Sequence, residues 1–250
     1  MNTAPLPTTR DEAWRYASSQ GLAALTRDAL DSWKEIELAD GEARRHALVL
    51  DDQYPGVHRV RLTIGKGARA ELFAVLTGGE YTRLEVEVRL ARGAHFELGG
   101  VTLGGSESTR EIVTRVDHAE PEGTSNQVVR SVHWGKGTGN FLGTIEVARD
   151  AQKTDAAQSF KGLLLEKGAS VNAVPQLEIF ADDVKCAHGA TVGQLDEVAR
   201  YYMAARGIPP ELSRRLLVQA FLGDAFVALD DEAESARLLE LAVAKLDSRS

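Results

Sequence analysis

The sequence predicts a mainly β protein, a long body of short strands held between helical ends. Three observations carry this. Nineteen of the 23 glycines lie between Gly56 and Gly193, with only Gly21, Gly41, Gly207 and Gly223 outside. Within that stretch, alternating apolar and polar runs are cut by Gly, Asn and Asp, the pattern of half-buried strands separated by turns. In both flanks the apolar residues recur at helical spacing instead. Many short strands with few helices leave a sandwich, a barrel and a β-helix open.

From the N-terminus, Arg10 to Trp33 reads as helix, with Trp14, Ala17, Leu22, Leu25 and Leu30 near helical spacing and Gly21 as its weak point. Val60–Ile64 then alternates and stops at Gly65-Lys66-Gly67, and Leu84–Leu90 alternates over seven residues before Gly93. Strand-like runs follow at Glu111–Val116, Gln127–Val132, Gly143–Val147 and Gln176–Phe180. Ile64–Ala68, Leu90–Ala94 and Leu165–Ala169 share the form apolar-x-basic-Gly-Ala without a strict period. Similar turns on successive coils of a β-helix would look like this, and so would an ordinary recurring turn.

After Gly193 the helical pattern returns. Asp196 caps a helix through Val198, Tyr202 and Met203, stopped by Gly207. Pro209-Pro210 opens a second, with Leu212, Leu216, Leu217, Ala220 and Phe221 on one face. Asp230 or Asp231 caps a third through Ala236, Leu239, Val243 and Leu246. The chain thus divides into a helical segment over 1–45, a β body over 46–193 and a helical subdomain over 194–250.

Composition excludes several classes of function. Thirty-seven acids against 29 bases give a net charge of −8, which disfavours general nucleic-acid binding. No run approaches 18 apolar residues, so no transmembrane helix is expected. Residues 1–7 lack a basic start and an apolar run, so no signal peptide is read. The single cysteine, Cys186, rules out an internal disulfide, a Cys-rich zinc site and a self-contained four-thiolate cluster, and makes a cytoplasmic location the default.

Candidate chemistry is sparse. Gly135-Lys136-Gly137-Thr138-Gly139 is Gly-rich, but it feeds a strand and lacks the P-loop spacing, so it reads as a structural turn. Of His46, His58, His95, His118, His133 and His188, no two have the spacing of a cupin or zincin pair. There is no nucleophile elbow. What remains is Cys186 and His188, two residues apart in strand-like sequence, which places thiol and imidazole on one face. A thiolate and an imidazole suit iron and sulfur chemistry, and Lys185 would help to lower the thiol pKa if it came near. Spacing alone favours the plainer reading, a buried cysteine beside a satisfied histidine.

Several blocks carry a resemblance to a known family. They are Gly143–Ser159, Leu163-Leu164-Leu165, Pro175–Glu197, Tyr201-Tyr202, Arg206–Pro209, Arg214–Leu217 with Phe221, and Glu12–Tyr16 near the start. Together they resemble the SufB/SufD family of iron–sulfur cluster assembly proteins. The resemblance implies a right-handed parallel β-helix between helical ends. It favours the SufD side, because Ser159–Gly162 holds no thiol where the SufB side carries a sulfur-accepting cysteine. It implies a shortened member, with the missing part in the N-terminal region.

The resemblance also implies the partners: SufB, or a second copy of this chain, through the β-helix, and the SufC ATPase through the C-terminal helices. Helix Pro210–Leu229 would be the dock, with Tyr202, Arg206, Leu212, Leu216 and Phe221 as candidates. Cys186 and His188 would be iron or sulfur ligands for a transient iron–sulfur cluster, or iron, at a shared interface. ATP would enter only through SufC. On this reading the chain is a scaffold and not an enzyme. A purely structural partner with an inert Cys186 and a cupin-like metal-binding β-barrel are the alternatives.

Overall fold

The computed structural model describes residues 6–248, so residues 1–5, part of the signal-peptide reading, lie outside the described residues. Twelve strands make the body: β1 (Lys34–Leu38), β2 (Ala43–Leu50), β3 (Gly56–Ile64), β4 (Arg69–Leu76), β5 (Tyr81–Leu90), β6 (His95–Gly104), β7 (Thr109–His118), β8 (Thr124–His133), β9 (Thr138–Val147), β10 (Asp155–Leu164), β11 (Ser170–Ile179) and β12 (Lys185–Gly193). Odd strands form one six-stranded sheet and even strands another, each in sequence order. Every pairing is parallel. The chain therefore winds as a two-sided parallel β-solenoid of six coils. This overturns the barrel behind the cupin-like alternative, since a cupin barrel needs antiparallel neighbours.

Inward side chains stack in columns from coil to coil. Leu62, Val88 and Val116 form one, and Ala74, Gly100 and Val129 another, in a core with Leu72, Phe96, Phe141 and Phe160. The coil length grows along most of the chain: paired residues are 26 apart at Arg61–Glu87, 29 at Thr102–Ser131 and 32 at Thr144–Gln176, before falling to 30 at Ala156–Cys186. That growth is why the sequence shows no strict period.

The echo holds in part: Ile64–Ala68 and Leu90–Ala94 are successive turns from an odd strand to an even one, whereas Leu165–Ala169 lies at the opposite corner, between β10 and β11. Ala68, Ala94 and Ala169 are buried, and each donates its N–H back to the carbonyl three residues earlier. One corner stacks residues in the left-handed region, at Gly41, Gly67, Gly93, Glu122 and Lys153. Glycine suits the first three because positive φ is strained for a side chain. Each hands its N–H to the next coil, as in Gly67 to Arg92 O and Glu122 to Gln152 O, both 2.9 Å. The Gly135–Gly139 stretch lies at the opposite corner, after β8: Gly135 has φ 57° and donates its N–H to Glu166 Oε2 at 2.8 Å.

Two expectations for the N-terminal segment are corrected. Helix is not continuous over Arg10–Trp33. A 3₁₀ turn at Glu12–Trp14 is followed by α1 (Ser19–Ala23) and α2 (Arg27–Asp31). Ser18 and Thr26 cap new helices, accepting from the N–H groups of Gly21 and Ala29, and so break the run. Gly21 lies against the Tyr81 ring, where a Cβ would clash. Strand also starts earlier than read, because Lys34–Leu38 and Ala43–Leu50 already belong to the first coil.

The tail holds α3 (Glu197–Ala205), α4 (Pro210–Gly223) and α5 (Glu232–Asp247). Asp196 and Asp231 cap α3 and α5, and Gly207 ends the first helix at φ 79°. Val218, Leu222, Phe226, Leu238, Val243 and Leu246 pack on Phe73, Val75, Val101, Leu103 and Val132 of the even sheet. The face buried from α4 is therefore Ser213, Val218 and Leu222, while Leu212, Leu216 and Ala220 of the apolar face read from the sequence are exposed. Gly99 permits this seat: a Cβ there would lie 2.1 Å from Ala225 O. Arg130, nearly buried on β8, fixes it by donating to Asp224 Oδ2 from Nε at 2.9 Å and from a terminal nitrogen at 2.6 Å.

Candidate functional site

The last coil ends the stack. β12 pairs only with β10 and β11 only with β9 among the described residues, so one edge of each sheet faces outward. The register shows what reaches that end. One inward column runs Phe96, Ser125, Ala156, Cys186, and the next runs Leu98, Gln127, Gln158, His188. Ala156 and Gln158 are buried, whereas Cys186 is half-buried and His188 is exposed, because no further coil covers them. The sequence placed thiol and imidazole on one face. The structure adds that this face is the solenoid's interior, laid open at its end.

Cys186 packs beside Ile145, Val147, Ala151, Ala156 and Ala181. Burial, and then the Asp155 carboxylate, push its thiol above the usual range, against a lowering bond at the Ala156 backbone. Strand alternation turns Lys185 to the opposite, exposed face, as its place next to Cys186 implies, and it takes no part in that balance. Two ligands fill only half of a four-ligand coordination shell. No group of three or more His, Cys, Asp or Glu side chains placed to hold a metal occurs among the described residues.

Apolar residues accompany the open end. Ile179, Phe180 and Val192 are exposed there at 38%, 60% and 49%. Sequence reading did not single these out. Each looks like an ordinary strand residue, and only the missing seventh coil leaves it uncovered.

The second candidate surface lies on the tail. Tyr202 and Arg206 of α3 are exposed, with the guanidinium 4.9 Å from the ring centroid. Leu212 and Leu216 of α4 are exposed, as are Val198 and Tyr201 of α3. Phe221 stands apart from these four, partly buried against the helix–sheet core. None of the α3 residues is buried, so this helix has an unpartnered face.

Two of the remaining histidines, His118 and His133, lie in the interior. His118 is fully buried with Nε2 2.8 Å from Ser125 Oγ, and burial holds it down at about 4. His133 is held at about 3, by burial first and then by the Arg110 charge. A buried polar network that sequence reading missed links Tyr81, Arg83 and Glu111. The Tyr81 hydroxyl donates to Glu111 at 2.5 Å, and the Arg83 guanidinium donates to it at 3.1 Å. It seats the N-terminal segment, because Arg83 also donates to Ala13 O at 2.8 Å and lies over the Trp14 ring. The partners are 28 or more residues apart, so no local motif announces them.

Residues 31–221, more than half of the chain, match the family model described as SUF system FeS cluster assembly, SufBD core domain. The chain belongs to this family. The match takes in the whole solenoid, α3 and most of α4, so both candidate surfaces fall within the SufBD core. Relatives include the iron–sulfur cluster assembly protein SufD of Escherichia coli (strain K12), 39% identical over 126 residues, which cover 50% of this chain and 30% of that protein. The Protein ABCI7, chloroplastic, of Arabidopsis thaliana is 39% identical over 153 residues, 60% of this chain and 32% of its own. The SufD of Bacillus subtilis (strain 168) is 30% identical over 135 residues, 48% and 31% respectively. The matched part thus spans about a third of the length of these relatives. No helix among the described residues is long and apolar enough to cross a membrane.

Proposed function

We propose that this SufBD chain is a non-enzymatic scaffold subunit of an iron–sulfur cluster assembly complex. Its open solenoid end meets the corresponding end of SufB, or of a second copy of itself. There Cys186 and His188 supply part of the ligand set for a nascent cluster or iron. The observation that carries this reading is the register, in which two interior columns terminate on a thiol and an imidazole at an unpaired edge. Unpaired strand edges with exposed Ile179, Phe180 and Val192 are what a partner's strands and apolar surface would cover.

A SufC-type ATPase docks on the face of Tyr202, Arg206, Leu212 and Leu216. Phe221, packed behind it, transmits movement to the solenoid. ATP acts only through that partner, and the complex works in the cytoplasm. The cluster is cargo: a soft thiolate and an imidazole are ligands that iron accepts, and the partner completes the shell.

A second reading keeps the chain as a structural partner with an inert Cys186. The raised thiol favours it, since less thiolate is present to bind metal. The first test is co-expression with SufB and SufC chains and a pull-down through this subunit. All three should co-purify, and Leu212→Glu should lose the ATPase while keeping SufB. Retention of the ATPase by that variant removes the assigned dock, and failure to capture SufB or a second copy removes the scaffold reading.

A further inference from the structure

A cavity of about 580 Å³ opens between the Gly105–Ser108 turn, which joins β6 to β7, and the C-terminal end of α5. Arg110, Lys245, Trp134 and Ser106 are among the residues that line it. Arg110 is only 1% exposed. Its terminal nitrogens donate to Thr109 O at 3.0 Å, Thr77 O at 3.2 Å and Gly79 O at 2.7 Å. Its Nε has no partner, and no described carboxylate lies within ion-pair distance of the guanidinium. Burying a charge without a counter-charge is expensive, so buried cations are normally paired.

Its neighbours register that charge. Lys245, in the last turn of α5, is held below its usual range by burial first and then by Arg110. Lys245 also makes no ion pair with a described acid. The two carboxylates at the cavity do not compensate: Glu107 accepts from Lys136 Nζ at 2.7 Å, and Glu80 is exposed and pairs with neither cation. The hydroxyls of Ser108 and Ser248 are committed to the carbonyls of Gly105 and Lys245. The charged groups left for recognition in this cavity are the two cations.

We propose that this cavity is a binding site for a small ligand bearing an oxyanion, phosphate or carboxylate, which contacts Lys245 and supplies the counter-charge to Arg110. The site lies at the corners that lead from even strands to odd ones, between Gln20 of α1 and the end of α5, apart from the Cys186 end, and does not depend on the scaffold reading.

The test is calorimetric titration of the intact chain with inorganic phosphate and, separately, with citrate, at an ionic strength fixed with chloride. Trp134 emission gives a second readout, because that ring lines the cavity. Saturable binding is expected in at least one arm, and the arm that saturates identifies the anion. Lys245→Ala should weaken it by about tenfold or more, and Lys245→Arg should preserve it. Lys245 is half-buried on a helix surface, so its variants keep the test independent of Arg110→Gln, which removes a core side chain. No saturable response in either arm, or wild-type binding by Lys245→Ala, overturns the proposal.

Discussion

Asp224→Ala probes the joint between the helical tail and the solenoid. Asp224 accepts two hydrogen bonds from Arg130, at 2.9 and 2.6 Å, and lies 3.5 Å from Lys161 Nζ. A hydrogen bond to a charged group contributes about 1.5–3 kcal/mol, and removing one partner of a fully buried pair costs about 3–5 kcal/mol. Here the Arg130 side chain is 4% exposed but that of Asp224 is 46% exposed, so water screens the pair. Arg130 also keeps its bonds to the carbonyls of Val129 and Ser159, at 2.8 and 3.0 Å, and is not stranded. The loss expected is therefore about 1–2 kcal/mol, at the lower end of these ranges. Urea unfolding at pH 7 checks it, as a lower midpoint with the same slope. The sign with pH is fixed as well. The Arg130 hydrogen bond holds the Asp224 carboxyl below its usual range. Its contribution is present above about pH 4, the unfolded value, and is lost as pH falls through the lower folded value, so wild type and variant converge in acid. Equal midpoints at pH 7, or a gap that widens below pH 4, would refute the reasoning.

Two further expectations concern titration. Burial holds His118 and His133 at about 4 and about 3, whereas the unfolded chain takes up those protons near pH 6.5. Stability should therefore fall as pH drops from about 6.5 toward 4, read as a decreasing urea midpoint, and a flat profile from pH 7 to 5 would contradict it. For Cys186 in the isolated chain, the raised thiol means that iodoacetamide alkylation should be slower at pH 8 than for a free thiol and should still be climbing past pH 9. A plateau reached by pH 8 would show a thiolate that this environment does not provide.

What was legible in the sequence divides along the two sheets. The alternating runs read as strands fall mostly in β3, β5, β7, β9 and β11 of the odd sheet. Much of that sheet's outer face is a lattice of charges, including Arg61 with Glu35 and Glu87, Arg89 with Asp117 and Arg115 with Glu146, so core and solvent residues alternate cleanly. The even sheet is covered by α4 and α5 on its outer side. Strand β4, Arg-Ala-Glu-Leu-Phe-Ala-Val-Leu, is buried at seven consecutive positions and shows no period-two signal. Cys186 and His188 were visible as a same-face pair because a strand's period is local. Their place at an uncovered end was not visible, because it depends on which coil is last. The tail helices were found from their caps and stops, but the face that α4 buries was not read from them. That face is chosen by the sheet on which Val218 and Leu222 pack, not by the count of apolar residues along the helix.

The central claim is that a lone thiol and imidazole at the solenoid's open end are half of a shared cluster site. The most direct measurement is the iron–sulfur cluster formed per complex after reconstitution with SufB, SufC, iron and a sulfur donor, comparing wild type with Cys186→Ser and His188→Ala. Both variants should fold and assemble as the wild type does, since one position is half-buried and the other exposed. Each should form markedly less cluster. Normal cluster yield from both variants in intact complexes would contradict the account and leave the chain as a structural partner.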